Sequence, residues 1–331
     1  MVYYRPIVMT DPCRPAGAHT VAGGGCWFTH AERMERGGSS GLVTASDIPA
    51  DVLTRLTEPR ALVSGVSMDS PRIMGILNVT PDSFSDGGLF REPDAALAQA
   101  RQMMADGADI LDIGGESTRP GAATVDVNDE IARTAPVIKA LLTQDCAPIS
   151  IDTRKAGVAR AALDAGATIL NDVAAMTYDA DMAQVAARAN VPICLMHAQG
   201  DPETMQDAPH YDNVTLDVYD FLAARIATAE AAGISRSNII VDPGIGFGKT
   251  QAHNLTLLKN ISIFHGLGCP ILLGASRKRF IGAIGNAPHA RDRMPGSVAV
   301  GLHGARQGVQ ILRVHDIAET RQAMSLHLAV N

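Results

Sequence analysis

Eight short apolar runs recur along the chain, and each gives way to polar residues at its end. They span residues 73–78, 110–115, 148–153, 169–172, 192–197, 239–242, 270–276 and 311–316. Between them lie mostly Ala-rich stretches with apolar positions at helical spacing, over 94–106, 128–142, 155–165, 180–189, 214–232, 254–263, 294–307 and 317–329. Strands buried on both faces read as continuous apolar runs, and strands that alternate with helices run parallel. Eight such units predict an α/β fold, a (β/α)8 TIM barrel, with its chemistry at the C-terminal strand ends. The polar ring at those ends is Asn78, Asp152, Asn171, Asp242, Lys278, Arg313 and His315.

Finer signals set the boundaries. Asp94 is placed to N-cap the first helix. Gly107, Gly166, Gly233 and Gly308 each follow a helix, as a left-handed C-terminal residue does. Residues 1–70 lack the strand–helix rhythm and contain the Gly-rich stretches 23–25 and 37–41. A short helix starts near Ser46-Asp47-Ile48-Pro49 and runs through Val52, Leu53 and Leu56. The segment is expected to lie on the barrel as an extension of unassigned role, with Trp27 and Phe28 as packing residues. Residues 71–331 then form the catalytic barrel.

The chain has 331 residues, 46% hydrophobic and 19% charged, as a soluble globular protein with a large core does. Its formal net charge of −7 disfavours sequence-independent nucleic-acid binding. No apolar stretch is long enough for a bilayer, and the first residues lack a signal peptide's apolar core. Cys13, Cys26, Cys146, Cys194 and Cys269 form no CxxC pair and read as reduced thiols, so a cytoplasmic location is expected.

Two connections carry too many special residues to be simple links: 79–88 after the first strand and 116–122 after the second. The stretch Ile76-Leu77-Asn78-Val79-Thr80-Pro81-Asp82-Ser83-Phe84-Ser85-Asp86-Gly87-Gly88 resembles the first signature of the dihydropteroate synthase family. Gly114-Gly115-Glu116-Ser117-Thr118-Arg119-Pro120-Gly121 resembles the second. Ser150-Ile151-Asp152-Thr153, Asn171-Asp172, Leu195-Met196-His197, Asp242-Pro243-Gly244-Ile245-Gly246-Phe247-Gly248-Lys249, Ser276-Arg277-Lys278 and Arg313-Val314-His315-Asp316 follow in the family's order. The resemblance runs from about Arg72 to the end of the chain. It implies that 4-aminobenzoate is joined to 7,8-dihydropterin-6-ylmethyl diphosphate, with release of pyrophosphate, Mg2+ as cofactor, and a homodimeric assembly.

The residue types suit that chemistry. An ionised carboxylate accepts two parallel N–H bonds from the edge of a flat heterocycle. By resemblance Asp242 takes the amino-pyrimidine edge. Asn171 can read a mixed edge, Asp152 can accept a ring N–H, and Lys278 can donate to the ring carbonyl. Met196, Phe247 and Arg313 complete the implied pterin site. Arg313 and His315 alternate on one strand and so share a side; with Asn78 and Arg119 they are the implied diphosphate site. Asn78 is the implied Mg2+ contact, since that ion takes few protein ligands beside phosphate oxygens. Phe84, Ser117, Thr118, Pro120, Ser276 and Lys278 resemble the 4-aminobenzoate pocket. Asp86, Arg119 and Lys278 are the implied catalytic residues, with Asp86 meeting the developing positive charge. Arg279 departs from members that carry a small residue there.

Other patterns fail. Pro243 stands where a Walker A loop needs Gly, and Lys249 takes the last Gly place of Gly-x-Gly-x-x-Gly. Met103 and Met104 share helical spacing with Leu97 and read as core. His197 reads equally as a pocket residue or a satisfied core histidine. Two rivals remain: a corrinoid-linked methyltransferase, which would need neither Arg313 with His315 nor the two special loops, and a non-catalytic pterin-binding paralogue, which should show damaged loops or lack Lys278.

Overall fold

The computed structural model describes residues 1–38, 41–79, 92–117, 124–142, 146–200, 205 and 207–330. The N-terminal part contains β1 (Val2–Pro6), β2 (His19–Thr20), β3 (Trp27–Phe28), β4 (His30–Glu35), β5 (Gly41–Thr44) and α1 (Ala50–Thr57). The alternating part follows as β6 (Arg72–Asn78), α2 (Glu92–Ala105), β7 (Ile110–Gly114), α3 (Val127–Leu141), β8 (Ile149–Asp152) and α4 (Ala156–Ala165). It continues through β9 (Ile169–Asp172), α5 (Met182–Ala189), β10 (Ile193–Met196), α6 (Val214–Ala231), β11 (Ile239–Asp242) and α7 (Gln251–Lys259). It ends with β12 (Leu272–Leu273), α8 (Arg279–Ile284), α9 (Met294–Arg306), β13 (Ile311–Val314) and α10 (Ile317–Val330).

All eight expected strands form and pair in parallel, in the order β11-β10-β9-β8-β7-β6-β13-β12. A parallel bridge between Val241 and Ile271 joins the two outer strands and closes the barrel. The seventh strand is much shorter than its apolar run. Only Leu272 and Leu273 pair with β13, and from Gly274 onward the chain has left the ladder.

Strand side chains alternate between the barrel interior and the helices. Met74, Ile110, Ile169, Cys194, Ile240, Leu272 and Ile311 pack together as an inner apolar layer. Their neighbours in sequence, such as Ile73, Leu111, Ile193 and Ile239, belong to the larger core beneath the helices. Two residues beyond the inner layer, the same inward face carries Asp112, Asn171, Met196, Asp242 and Arg313. The barrel is thus apolar at its base and polar at its mouth.

Helix ends follow the expected chemistry. Gly107, Gly166, Gly233 and Gly308 have φ of 98°, 113°, 93° and 79°. Asp94 is a correction: α2 already begins at Glu92, so Asp94 lies inside its first turn.

The N-terminal strands form a small antiparallel sheet, β1-β4-β5, beside the β2–β3 pair. Val21, Ala22, Phe28, Ala31, Ala45, Ile48 and Leu56 make its own core. Trp27 is buried and donates Nε1–H to the Asp11 carbonyl at 2.7 Å. Tyr3 reaches the barrel, edge-on to Tyr219 at 5.3 Å, and its hydroxyl donates to Asp220 at 2.9 Å. Ser262 donates to the Pro6 carbonyl at 3.0 Å, and Arg55 to the Gly266 carbonyl at 2.9 Å. A separate piece, residues 63–68, closes the base of the barrel. Val63 and Met68 join the inner apolar layer, and Ser64 donates to the Thr168 carbonyl at 2.8 Å. By packing, residues 63–68 therefore group with the barrel rather than with the preceding sheet.

Met68 is 2% exposed in that plug. Met68→Ala should lower unfolding free energy by about 2–4 kcal/mol, the usual cost of such a cavity. Urea titration would measure it; an unchanged midpoint would remove the plug from the stability of the barrel.

Candidate active site

At the polar mouth lies a cavity of about 620 Å³, lined among others by Asn78, Ser117, Asp152, Phe247, Ser276, Lys278, Arg313 and His315. Its organising group is the Arg313 guanidinium, delivered inward by β13. Nε donates to Asp112 Oδ2 at 2.6 Å and Nη2 to Asp152 Oδ2 at 2.6 Å. The Asn171 amide also donates to Asp112 Oδ2, at 3.1 Å. Burial works against the charge of Arg313, but Asp112 and Asp152 more than offset it and keep the group cationic.

Each carboxylate keeps a second oxygen free. Asp112 Oδ1 and Asp152 Oδ1 are buried and have no hydrogen-bond partner among the described residues. An unmet buried acceptor is costly, by about 1–3 kcal/mol, and a ligand N–H beside it removes that cost. Burial pushes the Asp152 carboxyl up to about 7, against the pull of Arg313. Asp112 was not singled out from the sequence. Its signal was parity: it sits two residues after inward-facing Ile110 in an otherwise apolar run.

Asp242 closes β11. Its Oδ1 accepts the Gly244 N–H at 2.7 Å, and burial raises its carboxyl while Lys278 opposes the rise. A Cβ on Gly274 would stand 3.6 Å from Asp242 Oδ2, so glycine keeps the approach to this oxygen open. Lys278 donates to the Ile245 carbonyl and stands 4.3 Å above the Phe247 ring centre. Burial brings its ammonium down to about 8, with Asp242 pulling the other way. Gly246 (φ 85°) lets this lysine pass, since a Cβ there would lie 2.9 Å from Lys278 Cδ. Met196 is buried at the end of β10, next to the turn at Gly244.

Ser276 and His315 meet each other. The serine hydroxyl accepts the His315 backbone N–H at 3.2 Å and pairs with Nδ1 at 3.0 Å. Asn78 ends β6 on the same wall. An atom built where a Gly114 Cβ would be lies 3.8 Å from Asn78 Oδ1 and 3.7 Å from Asp152 Oδ2, so both oxygens border one small space. Among the described residues no three His, Cys, Asp or Glu side chains cluster as a metal cage.

His197 resolves as a core histidine. It is buried, edge-on to Phe221 at 4.8 Å, and burial together with Lys249 pushes it down to about 2. Lys249, which ends the Asp242–Lys249 motif and has no role assigned from the sequence, donates to His197 Nδ1 at 2.9 Å, the His197 carbonyl at 3.2 Å and the Phe247 carbonyl at 3.0 Å. Burial lowers its ammonium well below the usual range. Gly244 (φ 66°) is required here, because a Cβ would fall 1.8 Å from the His197 carbonyl oxygen.

Phe84, Asp86, Thr118, Arg119 and Pro120 lie outside the described residues. The structure thus brings together Asn78, Ser117, Asp152, Asn171, Met196, Asp242, Phe247, Ser276, Lys278, Arg313 and His315 at one mouth.

Comparison with known proteins points the same way. A profile of the family described as pterin binding enzyme matches residues 74–315. The dihydropteroate synthase of Escherichia coli K12 is 44% identical over 267 residues, covering 80% of this chain and 94% of its own. A Xanthomonas albilineans dihydropteroate synthase solved with 4-aminobenzoic acid superposes with a TM-score of 0.78 at 46% identity, over 83% of this chain and 98% of that one. The same enzyme in complex with 7,8-dihydropteroate gives 0.75 at 43% identity, over 82% and 98%.

The Arg313 fork carries a prediction. The folded-state value of Asp152 lies above that of a free carboxyl, so folding favours its protonated form, and ionising it as pH rises to about 7 costs stability. Removing the counter-charge in Arg313→Met should move the Asp152 titration upward. Carboxyl-carbon NMR would follow it; an unshifted or lowered midpoint would refute the fork as the group that holds Asp152 in its charged form.

Proposed function

The chain belongs to the dihydropteroate synthase family of pterin-binding enzymes, and from that premise we propose how the mouth of its barrel performs the condensation of 7,8-dihydropterin-6-ylmethyl diphosphate with 4-aminobenzoate. The observation that carries the reading is a buried carboxylate with an unmet oxygen, Asp152 Oδ1, in one cavity with the Asn78 amide, Lys278 and Arg313. A pterin offers the complementary edge: ring and exocyclic N–H donors next to a carbonyl.

In this reading Asp242 accepts from the amino-pyrimidine edge and Asp152 from a further ring N–H, while Asn171 serves the mixed edge. Lys278 donates to the ring carbonyl, and Met196 and Phe247 confine the ring. Each charge-assisted bond contributes roughly 1.5–3 kcal/mol, so the set decides affinity. Arg313 and His315 hold the diphosphate, with Ser276 fixing the imidazole through Nδ1. Ser276, Ser117 and Lys278 also border the amine substrate. Asp86 and Arg119, outside the described residues, keep the roles that the resemblance implies, as do Phe84, Thr118 and Pro120.

The reaction is a displacement at the methylene beside the ring. The carbon–oxygen bond to the diphosphate breaks and its electron pair leaves with pyrophosphate. Positive charge spreads into the pterin ring, which Asp152 and Asp242 stabilise through their N–H bonds. The neutral amine of 4-aminobenzoate then forms the carbon–nitrogen bond and loses a proton to solvent. Arg313 and His315 meet the charge that develops on the leaving group.

Mg2+ fits the donor set. Asn78 lines the cavity, no multi-carboxylate cage surrounds it among the described residues, and the ion favours one or two protein oxygens beside phosphate and water. When bound, Mg2+ would neutralise charge on the diphosphate. The catalytic unit is the barrel of residues 71–331, braced at its base by 63–68. We assign it to the cytoplasm and to a homodimer, with small molecules as its substrates. No helix among the described residues is long and apolar enough to cross a membrane.

Purified protein with Mg2+ and the dihydropterin diphosphate should release pyrophosphate only when 4-aminobenzoate is present. Asp242→Ala should weaken pterin binding by about 100-fold, the sum of two charge-assisted bonds at the low end. Pterin binding without turnover would favour the non-catalytic paralogue. Asp152 accepts most strongly when ionised, and Lys278 donates most strongly when charged. Pterin affinity of the free enzyme should therefore rise through about pH 7 and fall above about pH 8. A flat profile across that range in calorimetry would refute these two assignments.

A further inference from the structure

A second polar cluster lies one step away from the pterin carboxylates and takes no part in the reaction as derived. Lys155, just beyond β8, is 4% exposed, and its ammonium has three acceptors. They are a Glu116 carboxylate oxygen, Glu130 Oε2 at 2.6 Å and the Val125 carbonyl at 2.7 Å. Its neighbour Arg154 donates to Glu116 Oε1 at 3.0 Å and to Thr124 Oγ1 at 3.3 Å. The guanidinium stacks over Tyr178 at 4.1 Å from the ring centre.

Two cations and two carboxylates make a buried neutral quartet. Such groups seldom add net stability over apolar packing, because desolvation consumes most of the attraction. What they supply is a unique arrangement. Here the partners are distributed along the chain in a telling way. Glu116 precedes residues 118–123, Thr124 and Val125 follow them, and all are tied to one point, Arg154-Lys155. The foot is rigid on the other side too. Arg133 donates to the Gly115 carbonyl at 2.9 Å, and a Cβ at Gly115 would lie 2.8 Å from Thr134 Cγ2. Glu116 and Ser117 both line the cavity.

We propose that Lys155, with Arg154, is a positioning residue for the amine substrate: it fixes Glu116 and Ser117, together with Thr124 and Val125, beside the end of the strand that carries Asp152. The inference rests on the assignment of Ser117 to the 4-aminobenzoate side of the cavity. Lys155 touches neither substrate. It acts through the backbone it holds, while Asp152, the last residue of β8, keeps its own partner in Arg313.

The test separates the two substrates. KM for 4-aminobenzoate is measured by pyrophosphate release, and affinity for the unreactive 6-hydroxymethylpterin by calorimetry. Lys155→Met should raise KM for 4-aminobenzoate about tenfold or more, within the cost of displacing a positioned group by a fraction of an ångström. Pterin affinity should stay within about twofold of wild type, since uniform damage would lower both together. Lys155→Arg, which keeps the charge and donors, should recover most of the loss. An unchanged amine KM in folded Lys155→Met would overturn the proposal, and so would equal losses for both substrates. If Lys155→Met does not fold, Arg154→Ala carries the test, because it removes the Glu116 and Thr124 bonds and leaves Lys155 in place. A selective rise in its amine KM supports the proposal and a wild-type value overturns it. Wild-type protein without amine-dependent turnover would remove the synthase reading and this inference with it, a result distinct from normal turnover with an insensitive Lys155→Met.

Discussion

The mouth of this barrel depends on one guanidinium. Arg313 spans from β13 to carboxylates on β7 and β8, two strands that β6 separates from its own. Without a cation there, Asp112 and Asp152, on the paired strands β7 and β8, would be buried without the donors that Arg313 supplies. With it, one oxygen of each is satisfied and the other has no partner among the described residues. The arrangement fixes both acceptors as part of the fold, so the cost of ordering them falls on folding.

That polar layer is affordable because of what lies under it. Seven inward side chains, one from each of seven strands, form an apolar floor, and Val63 and Met68 seal it from below. Water is kept from the underside of the carboxylates, which is why burial is the leading cause of the upward shifts at Asp152 and Asp242 and of the downward shift at Lys278. The same floor explains why the titrations of an acid and a base converge near neutrality in one cavity.

Much of this was legible in the sequence, for a physical reason. Parallel strands buried on both faces leave unbroken apolar runs, and the first polar residue past each run is where the barrel opens. Asn78, Asp152, Asn171, Asp242 and Arg313 were read that way. Asp112 was not, because a single carboxylate inside an apolar run shows its role only once the inward parity of β7 is known. Lys249 and Lys155 have no role assigned from the sequence for a related reason: their partners, His197 and Phe247 in one case and Glu116, Glu130 and Val125 in the other, come together only in the folded chain. Asp94 looked like a cap because capping residue types also occur in first turns. The shortened β12 was hidden too, since apolar composition does not say where a ladder stops. The N-terminal sheet had no periodic signal at all; its strands are short and its small core is assembled from scattered positions such as Val21, Phe28 and Leu56.

The closure of the barrel has a mechanical side. Most neighbouring strands are laced by three to five residue pairs, but β11 and β12 meet at a single bridge, Val241 with Ile271, where the Val241 N–H reaches the Pro270 carbonyl at 2.9 Å. This is the most sparsely paired seam of the barrel among the described residues. Asp242 stands on one lip of the seam and Lys278 follows the other. In the proposed reading, a flat ring bonded to both would act as a clasp across that gap.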